Sequence, residues 1–456
     1  MKSKSLRYYW WLTQEYIKKH SKMMLISSFV SFFIIFVLVS FSSYLDALFF
    51  PKKNIVGIVG HYSGQRLPLE VEQKISSGFV YVDENGVVKP AAAESWEIKE
   101  SGKRFRIQLK KGLFWDNGDA FTAQSITLSF KNVKTEIIDD YTLDIILEKP
   151  LPIFLTYLSR PLFYQQVHGV LGRYKVSKLK SDRGYVSNIT LVPTEEGQAT
   201  YIYHFYDTET ELITAYKKGE IREMKIIDPA VAAQMKSWKN TDVVQSTDYS
   251  VVMTLFFNTT NEALAEKEVR QAIAQAIDRQ NLMSYGEPAN SPISPVSWAY
   301  NTGLKKIQYD PDEAKKVIQK SPLSSDSASL RILTYFDIDE VATTLRGNLE
   351  QVGVSSEVSF NSATALPEYD VLLAYLQLPS DPDQYAFWHS SQSQQNNISH
   401  FKNVKIDKIL EDGRNTASRQ ERQKIYFQFQ RVMVDEVPAV FLYYPHSYTI
   451  KRKSLI

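Results

Sequence analysis

The sequence contains no cysteine. Disulfides, thiol catalysis, cysteine-held zinc and anchoring through a lipidated cysteine are therefore all excluded. Histidine is scarce as well, with seven in 456 residues, and no two stand four apart as a helical zinc pair would require. No metal site is expected. A serine hydrolase would carry a G-x-S-x-G elbow, and none occurs. The run "GVLGRYKVSKL", Gly169 to Leu179, has two glycines but lacks the lysine and hydroxyl of a phosphate loop, so no nucleotide cofactor is implied. The paired acids Asp139 and Asp140, and Asp381 and Asp383, could serve a glycosidase only at a defined separation, and acids beside proline are more often turn formers. The chain is expected not to be an enzyme and to need no cofactor.

Charge is also lacking in excess. Six Lys or Arg against one Glu give residues 1–22 a charge of +5, and the whole-chain value of +2 leaves the rest near −3. A nearly neutral body offers no footprint for nucleic acid. Long apolar runs are limited to one. Met23 to Leu45 contains no charge, and as a helix rising about 1.5 Å per residue it is long enough to cross a hydrocarbon layer of about 30 Å. The basic flank before it, with Lys18, Lys19 and Lys22 adjacent, favours a cytoplasmic N-terminus and places the chain beyond Leu45 on the outer side. The run leaves through "SSYLDALFFPKK" without a small-residue cleavage site, so an uncleaved anchor is expected. "RYYWWL", Arg7 to Leu12, suits a membrane interface.

What remains has the length for two or more domains. "GFVYVDENGVVKP" reads as two strands reversed at "DENG". In "RFRIQLKKGLFWDNGDAFTAQSITLSF", Phe105, Ile107 and Leu109 alternate with polar residues as in a half-buried strand, and Thr122 is placed to cap a helix with Ile126 and Phe130 on one face. From Val251 strands and helices alternate. "VVMTLFFN" reads as a fully buried strand, and Val269, Ala272, Ile273, Ala276 and Ile277 form a helical stripe. Asp310 and Pro311 announce a helix, and "LRILTYF", "DEVATTLRGNLEQV" and "VSSEVSF" read as a parallel strand-helix-strand unit stopped at Gly353. "YDVLLAYLQ" adds a buried strand. Ser418 with Glu421 forms a capping box, and "AVFLYYP" follows Pro438 as a last strand.

The stretch "AAAESWEIKESGKRFRIQLKKGLFWDNGDAFTAQSITLSF" resembles the signature region of the extracellular solute-binding proteins, family 5, of oligopeptide, dipeptide and nickel ABC transporters. The resemblance continues through "LFFNTTNEALAEKEVRQAIAQAIDRQNL", "YDPDEAKKVI", "YDVLLAYLQLPSDPDQY" and "ERQKIYFQFQRVMVDEVPAVFLYY", covering most of Ile55 to Tyr448. It implies an α/β, two-lobed periplasmic-binding-protein type II fold of the large peptide-binding class, preceded by one N-terminal transmembrane helix. On that basis residues 1–22 form a cytoplasmic segment and 23–45 the anchor. Residues 54–257 form lobe one, 258–438 lobe two, and 439–456 a short return toward lobe one. The implied function is a membrane-anchored protein on the extracytoplasmic side of the plasma membrane, capturing peptides or a similar solute for an ABC permease. The alternative is a ligand-sensing receptor or scaffold of the same fold.

The candidate ligand-facing positions are Ser77 and Gly78, which match the family's strand near the cleft, Tyr375 and Gln377 of its late loop, Trp298 in a proline-rich connection where an aromatic wall would fit, and Asp381, although the family's D-P-D at that place is structural; for Trp298 and Tyr375 a core position is the alternative. One departure bears on ligand chemistry. Peptide binders of this family carry an aspartate for the peptide ammonium shortly after a G-W pair; here Tyr375 replaces the tryptophan and Leu378 the aspartate.

Overall fold

The computed structural model describes residues 6–40, 52–64, 66–83, 85–128, 130–165, 167–325, 328–335, 338–361 and 367–453. Its first element is one helix, Leu6–Ser40, within which Thr13–Phe36 is long and apolar enough to cross a membrane and has no part buried against the rest of the chain. Those 24 residues would span about 36 Å. The helix begins earlier than the expected anchor, taking in most of the basic segment, and Trp10 and Trp11 are exposed on it. Residues 41–45 of the expected span lie outside the described residues.

The body is built on strands that meet at the long terminal strand Ala439–Arg452. In the first lobe Lys53–Val59 pairs in parallel with Thr200–Tyr206 and with Glu223–Ile226, and the latter pairs antiparallel with the end of the terminal strand, Tyr448 to Lys451. In the second lobe Val251–Phe257 lies between Val371–Gln377 and the start of the terminal strand, Ala439 to Tyr443. Leu330–Thr334 and Ser356–Phe360 complete this part as a parallel pair across the helix Asp339–Gln351.

Val251–Phe257 explains why both faces of the second-lobe sheet must be covered. Met253, Leu255 and Phe257 enter one core with the stripe of Lys267–Ala276, while Val252 and Phe256 enter the other with Tyr426, Phe429 and Met433 of Arg419–Glu436. Alternate residues of a strand point to opposite faces, so a run apolar at every position needs helices on both sides. This strand, placed at the end of lobe one by the sequence, is hydrogen-bonded within the second-lobe sheet. The terminal strand differs likewise: it pairs in the second lobe before it returns, and the return proper begins near Pro445. Residues 454–456 of the expected return lie outside the described residues.

The first lobe carries an added four-stranded antiparallel sheet in which Arg104–Leu109 is central. Phe105, Ile107 and Leu109 are fully buried, and on the opposite face Arg104 and Arg106 hold the buried Asp144 through bonds of 2.8–3.0 Å. The turn that follows ties the lobe together. Buried Trp115 donates to Ser125 Oγ at 2.9 Å, and Asp116 meets His168 Nδ1 at 2.6 Å. The helix expected after Thr122 is absent. Thr122 does cap, but only one 3-10 turn, Ala123–Ser125, and Ile126 is already extended. Ser125 spends its hydroxyl on Trp115 and on the Thr122 backbone. The chain must then reach the edge strand Val133–Asp139 within seven residues, too few for a helix and its return. The expected hairpin is present as Val80–Val82 with Val88–Pro90, Tyr81 standing opposite Lys89.

Candidate functional site

The irregular segment that replaces the helix, together with Leu147 to Leu151 and the short helix Phe154–Tyr157, walls one side of a cavity of about 610 Å³. Tyr385, Glu411, Arg414 and Asn415 of the second lobe wall the other. Volumes of this order are typical of small-molecule sites. A second cavity of about 390 Å³ adjoins it within the first lobe, sharing Phe130 and Tyr157, with Arg66, Glu72, Arg160 and Phe163 around it.

A hydrogen bond joins the lobes across this cleft. The Tyr157 hydroxyl donates to Asp383 Oδ2 at 3.1 Å, and the same oxygen accepts from Arg414 Nε at 2.8 Å. Burial, reinforced by the Asp383 charge, pushes the Tyr157 hydroxyl far above its usual range, so it remains a donor at any physiological pH. Its ring, by contrast, is partly exposed along the cavity wall. The Arg414 guanidinium lies 4.0 Å from the Tyr385 ring centre, and Tyr385 stacks on His389 at 4.0 Å. These contacts fix the orientation of the second-lobe wall.

Asp381 lies beside this cluster with its carboxylate committed. It binds Arg422 through two bonds, 2.6 and 3.1 Å, and accepts the Asp383 backbone N–H at 3.0 Å. Arg422 in turn lies under Trp298, 5.4 Å from its ring centre, and Gln423 donates to the Trp298 carbonyl at 2.6 Å. Trp298 itself reaches the first lobe at the tip of the Val80–Val82 hairpin. A Cβ on Gly86 would fall 2.3 Å from Trp298 Cδ1, and Gly86 has φ +74°. The fold thus brings Asp381 and Trp298 together through Arg422, at a second place where the lobes meet.

Ser77 and Gly78 lie on the first-lobe side just behind Tyr157. Ser77 N–H donates to the Val170 carbonyl, and Leu162 N–H donates to that of Ser77. Gly78 is pressed against the backbone of Leu158 and Ser159, and a Cβ added to it would lie only 2.5 Å from the Leu158 oxygen. Its identity therefore follows from the close approach of two backbones. Gln377 stands at the hinge instead, and Tyr375 packs against the second-lobe core. Tyr375 pairs with Met253, and Gln377 Nε2 donates to the Ser250 carbonyl at 3.0 Å. Leu378 is buried in the second-lobe core, its N–H bonded to the same carbonyl at 2.7 Å.

The chain passes between lobes near Thr247 to Val251 and again near Pro445 to Ser447. Asp248 N–H donates to the Pro445 carbonyl at 2.9 Å and ties the crossings together. Burial works to raise the Asp248 pKa, but bonds from the Ser250 hydroxyl and N–H, with Lys225 nearby, outweigh it and hold the carboxylate below its ordinary value. Glu287 accepts from Thr247 Oγ1 at 2.8 Å and from the Tyr249 hydroxyl at 2.7 Å.

Sequence reasoning did not single out Tyr157, Arg414, Arg66 or Arg160. Tyr157 sits in an apolar run and Arg414 in a charged helix, where neither stands out; only their meeting across the lobes gives them a role. Among the described residues, no group of three or more acids and histidines is placed to hold a metal ion.

Residues 87–188 and 199–397 match the family model described as bacterial extracellular solute-binding proteins, family 5. Among curated relatives, the oligopeptide-binding protein AppA of Bacillus subtilis is 22% identical, with 88% of each chain covered. The dipeptide-binding protein of Escherichia coli is 21% identical over 81% of this chain and 83% of its own. Among solved structures, NikZ from Campylobacter jejuni in complex with Ni(L-His) superposes with a TM-score of 0.73 at 24% identity, covering 88% of this chain and 94% of NikZ. Bacillus subtilis AppA in complex with a nonapeptide gives 0.70 at 20% identity, covering 88% and 95%.

Proposed function

Because the chain belongs to the bacterial extracellular solute-binding proteins, family 5, we propose that it captures a peptide or similarly sized solute between its lobes and delivers it to an ABC transporter permease. The helix containing Thr13–Phe36 holds it in the plasma membrane, with the lobes on the outer side. The basic residues ahead of that helix support this orientation. The observation that carries the reading is the cleft of about 610 Å³ walled by both lobes and bridged by Tyr157 and Asp383. A solute touching both walls favours the closed arrangement, and a permease that reads closure then reads occupancy.

The charges at the cleft bear on which solutes fit. Asp381 and Asp383 are committed to Arg422 and Arg414, and Leu378 is buried. An unpaired ligand ammonium is costly to bury, so its recognition here does not rest on these three positions. Arg66 and Arg160, around the adjoining cavity, have no acidic partner within 4 Å among the described residues. Backbone pairing to an extended peptide supplies affinity with modest side-chain selectivity.

Calorimetric titration of the full chain in detergent against peptide pools and fractionated growth medium tests the proposal. Saturable binding, lost on changing residues of the cleft wall, is the expected result. Heat from no pool and no fraction counts against solute capture.

A further inference from the structure

Four arginines of the second lobe differ sharply in environment: Arg270 and Arg422 are buried, Arg414 and Arg279 half-buried. Arg422 and Arg414 are neutralised by Asp381 and Asp383. Arg270 has no carboxylate but donates to four backbone carbonyls, those of Leu264, Ala265, Glu436 and Val437, at 2.6–3.2 Å. Arg279 has neither. Its Nη1 donates to the Ile307 carbonyl at 3.1 Å, while its buried Nε finds no partner among the described residues. Desolvation pulls its pKa down to about 10.

Arg279 borders a void of about 10 Å³, room for about one water. Lys305, Ile307 and Val434 wall that void on one side and a larger pocket of about 360 Å³ on the other. Around the larger pocket stand Lys305, Lys306 and Arg431, none of which has an acidic partner within 4 Å among the described residues. The acid at its rim, Asp435, is held by Lys267 at 2.6 Å. Three exposed cations around an opening, a fourth half-buried behind it and the rim acid already paired make this face locally positive among the described residues.

We propose that this pocket, on the second lobe and away from the interlobe cleft, binds a phosphoryl group between Lys305, Lys306 and Arg431, with the Arg279 charge acting from behind. Leu304, Ile307 and Val434 give an apolar floor beside the charges, suited to a phosphate ester as well as to the free ion. The chemistry is common to inorganic phosphate and to a phospholipid headgroup, and an anchor helix would bring the second within reach. The proposal does not rest on what the cleft binds.

The test uses the full chain in a neutral detergent and phosphate-free buffer, titrated calorimetrically with inorganic phosphate and with sn-glycerol 3-phosphate. Chloride at equal ionic strength is the control. Saturable binding that weakens with added salt is expected. The double variant Lys306→Gln, Arg431→Gln should lose about tenfold or more in affinity, since each charge-assisted bond is strong, while solute binding at the cleft is unchanged. Arg279→Met should weaken phosphate binding in the same direction; if it fails to fold, the surface double variant decides alone. Tenfold tighter binding of glycerol phosphate assigns a headgroup, and equal binding assigns the free ion. Absence of saturable binding by either probe, or undiminished binding in the double variant, overturns the proposal.

Discussion

Replacing Tyr157 by phenylalanine removes one oxygen and the hydrogen bond that spans the lobes. The acceptor is a carboxylate paired with Arg414, and a bond to a charged partner contributes about 1.5–3 kcal/mol net. Asp383 Oδ2 keeps Arg414 Nε at 2.8 Å, so no buried charge is orphaned and the lower figure applies. A loss of about 1.5 kcal/mol shifts the closed-to-open ratio about tenfold. In the open arrangement the hydroxyl is answered by water, so the substitution acts on closure and leaves each lobe intact. If the unliganded protein is mostly open, apparent affinity falls by the same factor, because only the closed fraction holds the solute tightly. If it is mostly closed, the change appears first as a larger radius of gyration without solute. Titration calorimetry and small-angle scattering on the same samples distinguish the two. A double-mutant cycle with Asp383→Asn should return a coupling of similar size. Affinity within twofold of the parent together with unchanged scattering would refute the reasoning, since the bond would then contribute nothing to holding the lobes together.

Gly86→Ala should act at the other meeting point. Its positive φ costs an alanine roughly 1 kcal/mol, and the new methyl collides with Trp298, so solute affinity should fall and the tryptophan emission change with little loss of thermal stability. Arg160→Gln should weaken binding of solutes bearing a carboxylate by about tenfold relative to neutral ones; equal loss for both would show that its charge is not used. Asp144 provides a pH test. The bond from Arg106, ahead of that from Arg104, outweighs burial and holds its folded pKa below the unfolded value of about 3.9. Its stabilisation is therefore present above that value and lost as pH falls through the lower folded pKa. Asp144→Asn should lower the melting temperature at neutral pH and flatten its decline below about pH 4.

Periodicity made much of the second lobe legible. The stripe from Val269 to Ala276, the inward face Val341, Leu345 and Leu349, and the positive φ of Gly353 all follow from local pattern and appear as expected. The helix after Thr122 failed for a reason no local pattern contains. Its cap is real, but the distance to Val133 and the claim of Trp115 on Ser125 end it after one turn. The cleft was the least legible feature, because it is made by residues distant in sequence. Tyr157 and Asp383 are 226 positions apart, and nothing near either one announces the other. Trp298 could be suspected from its proline-rich setting, but its partner Gly86 reads in isolation as a turn glycine.

The acids of the D-P-D loop are both held by bonds within the protein. Asp381 stands as a candidate ligand contact within a D-P-D stretch that the resemblance implies is structural. Each acid is satisfied from within: Asp381 by both terminal nitrogens of Arg422, Asp383 by Arg414, the Tyr157 hydroxyl and the Tyr385 N–H. Buried ion pairs add little to stability compared with apolar packing, but breaking one partner is expensive. These bonds hold Asp383 where it meets Tyr157. Rigidity in the loop is what allows a single hydroxyl to couple the lobes: a mobile acceptor would follow the first lobe as it moved, and the bond would no longer distinguish a closed cleft from an open one.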